Sequence, residues 1–345
     1  MIIYTNMFNF NAGFHSTAFA ERGFVHIPRG LSQEFFELLA PQVEDYLQGR
    51  LMPDFAVGDK QQALYELPNG QSCNRELFEV VGSVCGLDPP DLVLSERHIK
   101  TYESHAIPDP PAHKDRFASQ VAVGFSIRVP EGSALVLYPD DHLEVNPFNS
   151  SKELRASLSP QQLPEAYLTD AGRVMIHDAP RDVIMFRGNA IWHLRSRPAG
   201  TTMLYLKFNA CNCDPLGEDP STSVRQEETL RSLGLPDGEL ENLVPLVGRR
   251  VDYIQRRYNR DWKEVIGVVL WGEHHFTIDE AELQALRVMD GRCRVRSVVE
   301  QMEDGLAGSG LDKIRRLAER GVIELVTPGP SHAARSQEPA RCQMS

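Results

Sequence analysis

A mainly β fold, a sandwich or jelly roll flanked by helices, is what this sequence predicts for its first two-thirds. Two observations carry the prediction. Between about residues 92 and 209 the chain is a series of short, β-branched or alternating apolar runs closed by turn residues. No helical pattern recurs between those runs, as the crossovers of a parallel α/β sheet would require. Helical spacing instead flanks the β region on both sides.

The elements follow in order. "GFVHIP", 23–28, reads as a strand, and "RGLSQEFFELLAPQVEDYLQG" as a helix with Ser32 as N-cap and Glu34 near the positive end of its dipole. Phe35, Phe36, Leu39, Val43, Tyr46 and Leu47 form its apolar face. A second helix is expected over 75–87. Strands are expected at "LVLSERHIKTYES", "SQVAVGFSIRV", "ALVLYP", "GRVMIHDA", "RDVIMFRG" and "TTMLYLKFN", the fourth and fifth joined by a tight turn at "APR". Residues 150–167 read as a mostly helical insertion. "CDPLGEDPSTSV" marks a boundary, with helices expected near 222–233 and 249–258. Helix, helix, helix and a terminal strand then follow, the order of a winged helix. The expected organisation is a jelly-roll domain over 1–215, a helical linker over 216–244, a winged-helix-like module over 245–327 and a disordered tail over 328–345.

Composition narrows the function classes. The chain has 345 residues, 41% of them hydrophobic, and a formal net charge of −12. A negative surface disfavours nucleic acid and anionic membranes. No apolar run is long enough to span a bilayer, and the N-terminus does not read as a signal peptide. Cys73, Cys85, Cys211, Cys213, Cys293 and Cys342 are scattered, which suits reduced thiols and a cytoplasmic protein. Basic residues Lys313, Arg315, Arg316 and Arg320 on the last helix are diluted by Asp312 and Glu319. Protein interaction, such as a homodimer through this module, is the favoured reading there over DNA binding. His274 and His275 read as loop residues, and His105, near the motif, as a surface or core residue, with lining of the substrate entrance the lesser alternative.

The chemistry sits in "PDPPAHKDRFASQ", 108–120. His113 and Asp115, at i and i+2 on extended chain, point to the same face and can meet one metal ion. A third ligand is expected from a later strand, and "RDVIMFRGNAIWH" offers His193. Two histidines and one carboxylate suit non-haem Fe(II) with positions left for co-substrate and O2; a structural zinc site would be closed by four ligands. The usual two-electron donor is 2-oxoglutarate, whose far carboxylate needs a buried cation. Lys207, within the apolar strand "LYLKF", is the favoured anchor, and Arg128 in "FSIRV" the competitor. Tyr102 and Ser126 are candidate hydrogen-bond partners of the co-substrate. Arg116, Trp192, Arg195 and Arg197 are candidate substrate contacts.

"HKD", the strand, turn and histidine of "RDVIMFRGNAIWH" and the downstream basic residue resemble the Fe(II)/2-oxoglutarate-dependent dioxygenase superfamily, over roughly residues 20–210. "ERGFVHIPRGLSQEFFELL" is similar to the opening of its phytanoyl-CoA hydroxylase-like branch. The resemblance implies a double-stranded β-helix and iron at His113, Asp115 and His193. In many members an arginine stands about ten positions after the distal histidine; here that position is Met203, and the basic residue is Lys207. The spacing from His113 to Arg128, the "LVLYPDD" run and the winged-helix-like end look like JmjC-type hydroxylases. The implied activity is hydroxylation of an unactivated C–H bond in a small metabolite. A protein side chain is the second substrate reading, and a non-catalytic binding or regulatory protein the third.

Overall fold

The computed structural model describes residues 6–49, 51–52, 59–67, 70–106, 109–140, 143–270, 274–302 and 307–328. The chain divides into two units, residues 1–212 and 213–345.

The first unit runs α1 (Gly13–Arg22), β1 (Phe24–Ile27), α2 (Gln33–Gly49), β2 (Lys60–Leu64), α3 (Gly70–Cys85), β3 (Val93–Tyr102), β4 (Val121–Arg128) and β5 (Ala134–Tyr138). It continues with α4 (Ser151–Ser157), α5 (Pro164–Tyr167), β6 (Val174–Ile176), β7 (Val183–Phe186), β8 (Trp192–Ser196) and β9 (Thr202–Asn209). Six strands form one antiparallel sheet in the order β1-β7-β4-β9-β3-β2, and three form a second in the order β6-β5-β8. The result is an antiparallel two-sheet sandwich of jelly-roll type, with α1–α3 against the large sheet and α4–α5 against the small one.

Alternation explains how the large sheet serves two environments. Val121, Val123, Phe125 and Ile127 of β4 and Leu204, Leu206 and Phe208 of β9 face the helices, where Phe35, Leu39 and Val43 of α2 and Leu77 and Val81 of α3 complete the main core. The Ser32 hydroxyl accepts the Phe35 amide at 3.1 Å, the expected N-cap. The other face of the sheet looks into the sandwich. Its apolar part joins both sheets through Phe24, Ala122, Leu135, Leu137, Ile176, Ile184 and Phe186. Its polar part carries Glu96, His98 and Lys100 of β3 with Tyr205 and Lys207 of β9. A register shift between Leu94 and Glu96 sets Glu96 directly across from Lys207.

β6 and β7 lie in different sheets, so the "APR" segment connects the two layers and does not close a hairpin. The insertion over 150–167 holds α4 and α5 as expected. α1 and β2 carried no signal that was read.

The second unit runs α6 (Pro220–Ser232), α7 (Asp237–Leu240), β10 (Val244–Val247), β11 (Val251–Tyr258), β12 (Glu264–Leu270), β13 (His274–Ile278), α8 (Glu280–Val288), α9 (Val295–Glu300), α10 (Ala307–Glu319) and β14 (Ile323–Val326). Its own core gathers Leu240, Ile266, Val268, Leu283, Leu286, Val295, Val298, Ile314 and Leu317. The helix expected near 249–258 is the strand β11, because its β-branched and aromatic residues pair along β12. His274 and His275 belong to strand β13, not a loop. Residues 216–244 are not a detached linker: Leu240 is in the core, and the Leu325 amide donates to the Thr229 hydroxyl of α6 at 3.0 Å. Three helices and a terminal strand occur in the expected order. That strand, β14, pairs antiparallel with β10, and a separate sheet β11-β12-β13 precedes the helices. The tail beyond residue 328 lies outside the described residues.

Candidate metal centre

His113 and His193 are locked together through their backbones. They form an isolated antiparallel bridge in which each amide donates to the other's carbonyl at 2.9 Å. The Asp115 amide donates to the Gly188 carbonyl at 2.8 Å, and Asn146 Nδ2 donates to the Asp115 carbonyl at 2.8 Å. The short segment 113–115 is thus laid along the turn 188–193 that follows β7. Extended geometry then brings His113 and Asp115 to one side, as their spacing predicts.

One ligand atom from each of His113, Asp115 and His193 lies within 4.8 Å of the others. The imidazole centroids are 4.4 Å apart, and His193 Nε2 is 3.9 Å from Asp115 Oδ2. His193 Nδ1 is 2.9 Å from the Ile191 carbonyl, and His113 Nδ1 is 3.4 Å from the Pro111 carbonyl. A carbonyl only accepts, so Nδ1 carries the proton of each neutral ring and Nε2 keeps its lone pair.

The electrostatics suit a cation. Burial pushes the His113 imidazole well below its usual value, and His193 adds to the effect. Burial also lowers His193, against the opposing pull of Asp115. Both rings are therefore neutral donors. Burial alone would raise the Asp115 carboxyl, but the Lys207 ammonium, then His193 and Lys100, reverse this and keep it ionised. Two neutral imidazoles and one carboxylate, buried on converging backbones, fit a divalent transition metal.

A buried charge network supports the set. Lys207 Nζ donates to Asp115 Oδ1 at 2.6 Å and lies 3.2 Å from Glu96 Oε1. Glu96 also faces Lys100 at 2.9 Å, His98 at 3.4 Å and Arg116 at 3.5 Å. Burial would raise the Glu96 carboxyl, and Lys100 and Lys207 hold it well below the usual range instead.

These contacts revise the readings of several residues. Lys207 is ion-paired to Asp115 and to Glu96, which it shares with Lys100 and Arg116. Arg128 ends β4 with its side chain half exposed and ion-paired to Glu44 on α2, outside the sandwich. Arg116 turns its Nε to Glu96 Oε2 at 3.5 Å. Trp192 faces away from His193, since neighbours in a strand point oppositely. It packs with Ala112, Val136 and Tyr138 against Leu154 and Leu168 of the insertion, with the Lys114 ammonium 5.1 Å from its ring centroid. Arg197 occupies the turn after β8, its amide donating to Asp109 Oδ1 at 2.7 Å.

Arg195 is not at the rim. It lies on the same face of β8 as His193 and is buried, with NH1 donating to Asp178 Oδ1 at 2.6 Å and a hydrogen bond to Tyr205. Its Nε is buried with no partner among the described residues. Ser126 donates to the other oxygen of Asp178 at 2.6 Å. Tyr102 is raised by burial and by its neighbour Tyr205. Arg195, Tyr205, Asp178, Ser126 and Tyr102 thus form one cluster, reached from His193 along β8. The spacing missed Glu96, Lys100, Gly188, Asp178 and Tyr205. A signal was present for two: Glu96, His98, Lys100 and Tyr102 alternate in "ERHIKTY", a polar face inside an apolar strand.

A cavity of about 390 Å3 in the second unit is lined by Thr222, Thr229, Arg249, Phe276 and Arg320 among others. Arg249 already binds Ser221, and Arg320 the Thr277 carbonyl. No helix among the described residues is long and apolar enough to cross a membrane.

Fold and side chains together define a two-histidine, one-carboxylate metal centre inside an antiparallel sandwich. No family model matches the chain, and no curated protein matches it. Solved structures do. One is the non-heme alpha ketoglutarate dependent carbocyclase SnoK from nogalamycin biosynthesis, 16% identical, with a TM-score of 0.44 over 56% of this chain and 82% of that one. A second is EvdO2 from Micromonospora carbonacea var. aurantiaca complexed with 2-oxoglutarate, 14% identical, TM-score 0.42, over 59% and 92%. A third is HygX from Streptomyces hygroscopicus with nickel, 2-oxoglutarate and hygromycin B bound, 12% identical, TM-score 0.39, over 57% and 86%. Likeness at this level carries no argument here, and the assignment rests on the site itself.

Proposed function

We propose that this protein is an Fe(II)- and 2-oxoglutarate-dependent oxygenase that hydroxylates a C–H bond of a small molecule. The observation that carries this reading is the converging set of half-buried His113 with buried Asp115 and His193, with a buried arginine two residues beyond His193 on the same strand face. With iron and 2-oxoglutarate bound, O2 would convert the co-substrate to succinate and carbon dioxide and deliver one oxygen atom to the substrate.

The chain's residues divide the remaining work. Neutral Nε2 atoms of His113 and His193 and the Asp115 carboxylate would hold the metal. Arg195, bound to Asp178 through NH1 at 2.6 Å and NH2 at 3.2 Å, would hold the distal carboxylate through its Nε, with Lys207 the competing anchor. It stands beside Met203, the residue ten positions after His193, its NH2 3.5 Å from the sulfur. Its unpartnered Nε can donate to a carboxylate, which is the strongest kind of hydrogen bond for such a group. Tyr205, Tyr102 and Ser126 line the same end and would orient the co-substrate. Apolar side chains exposed near the ligand segment, Phe117, Leu143 and Val145, suit a substrate with an apolar surface.

The test is turnover. Fe(II)-loaded protein should bind 2-oxoglutarate by calorimetry without O2 and release succinate when O2 is admitted. Absence of both would end the reading. Arg195→Met should weaken 2-oxoglutarate binding by about tenfold or more, the loss of one or two charge-assisted hydrogen bonds.

A further inference from the structure

We propose that Lys207 and Gly188 are positioning residues that hold Asp115 as a one-oxygen metal ligand. The two act on opposite oxygens. Lys207 Nζ sits 2.6 Å from Oδ1, and Lys207 is itself held by Glu96, its direct partner across β3 and β9. At residue 188 a Cβ would come 2.5 Å from Oδ2. Only glycine leaves that oxygen room, and Oδ2 is the oxygen nearer His193 Nε2. One oxygen is therefore tied back by an ammonium, and the other is given space on the imidazole side.

The consequence is a limit on coordination. A carboxylate that grips a metal with both oxygens takes two positions; with Oδ1 committed to Lys207, Asp115 takes one. In a six-coordinate site the two histidines and Asp115 then leave three positions, enough for a two-point chelator and one further small ligand. This last step rests on the functional reading above; the orientation of Asp115 does not.

Charge and geometry make opposite predictions, which makes the test sharp. Removing an ammonium beside the site should, on charge alone, tighten binding of a divalent cation. Removing an orienting contact should weaken it, by about 10- to 100-fold for such outer partners of metal ligands. The probe is Co(II) titrated into metal-free full-length protein without 2-oxoglutarate, followed by visible absorption.

Lys207→Met should weaken Co(II) binding by that factor and alter the absorption spectrum, and Lys207→Arg should restore part of both. Gly188→Ala, which changes no charge, should do the same as Lys207→Met. Glu96→Gln combined with Lys207→Met removes both partners and gives a second reading if the single variant does not fold. Wild-type affinity and spectrum in Lys207→Met or the double variant would overturn the proposal. So would unchanged Co(II) binding in Lys207→Met together with a weakened affinity for 2-oxoglutarate, since that marks an anchor. If wild-type protein fails to bind 2-oxoglutarate at all, the functional reading falls and the Co(II) outcome still decides this one.

Discussion

At the scale of single residues, each side chain of the centre is defined by what neutralises it. His113→Ala and His193→Ala should each abolish metal binding, measured by Co(II) titration, while circular dichroism stays near that of the parent. The two rings also set a pH dependence. In the unfolded chain a histidine titrates near about 6.5. In the folded, metal-free chain burial moves both values down. Below about pH 6.5 the unfolded state therefore binds more protons, so stability is full above that value and falls with acidification. The melting temperature of metal-free protein should drop between about pH 7.5 and 5.5, and drop less in the double variant His113→Ala/His193→Ala. Lys207→Ala leaves Asp115 and Glu96 buried without their shared cation. That should destabilise metal-free protein by about 3–5 kcal/mol in chemical denaturation; a loss below about 1 kcal/mol would mean that water replaces the ammonium.

At the scale of elements, register decides which residues meet. The shift in β3 between Leu94 and Glu96 sets a carboxylate opposite Lys207. An unshifted strand would turn that set to the other face, where the helices pack. Gly124 of β4 has a similar local role: a Cβ there would lie 3.0 Å from the Tyr205 ring, so glycine lets Tyr205 lie across β4 toward Arg195. The Ser32 cap fixes the start of α2, whose Phe35, Leu39 and Val43 cover the back of the same sheet. Ser32→Ala should cost about 1 kcal/mol in thermal or chemical melts without changing metal affinity. Much of this level was legible. The strands from β3 to β9 follow from alternation and turn residues, except β8, whose residues 192–196 were expected only to follow a turn. What alternation could not supply was partners: β6 and β7 read as a hairpin because their sequences abut, yet they join different sheets. β11 read as a helix because its residues suit either state until β12 lies beside it.

At the scale of the whole molecule, two units each bury an apolar core of their own. All three metal ligands and all of the Arg195 cluster fall in residues 1–212. That segment expressed alone should bind Co(II) with the affinity of the full chain; a large loss would show that residues 213–345 contribute to the site. The expected boundary at 215 lies close to the observed one at 212. Beyond it, α6 and α7 belong to the second unit: Leu240 lies in its core and the Thr229 hydroxyl accepts the Leu325 amide of β14.

By itself the sequence determined the β-rich class of the first unit and the same-face pairing of His113 with Asp115, because period-two alternation is a local property; it offered His193 as the third ligand, and the tertiary bridge between residues 113 and 193 brings that residue to the pair. The fate of the buried cations was decided only in three dimensions. Along the chain Lys207 and Arg128 both sit in apolar strands, and Arg195 reads as a substrate contact. Cross-strand register ties Lys207 to Asp115 and Glu96, a strand end releases Arg128 to solvent and Glu44, and Arg195 is buried against Asp178 on the His193 face of β8.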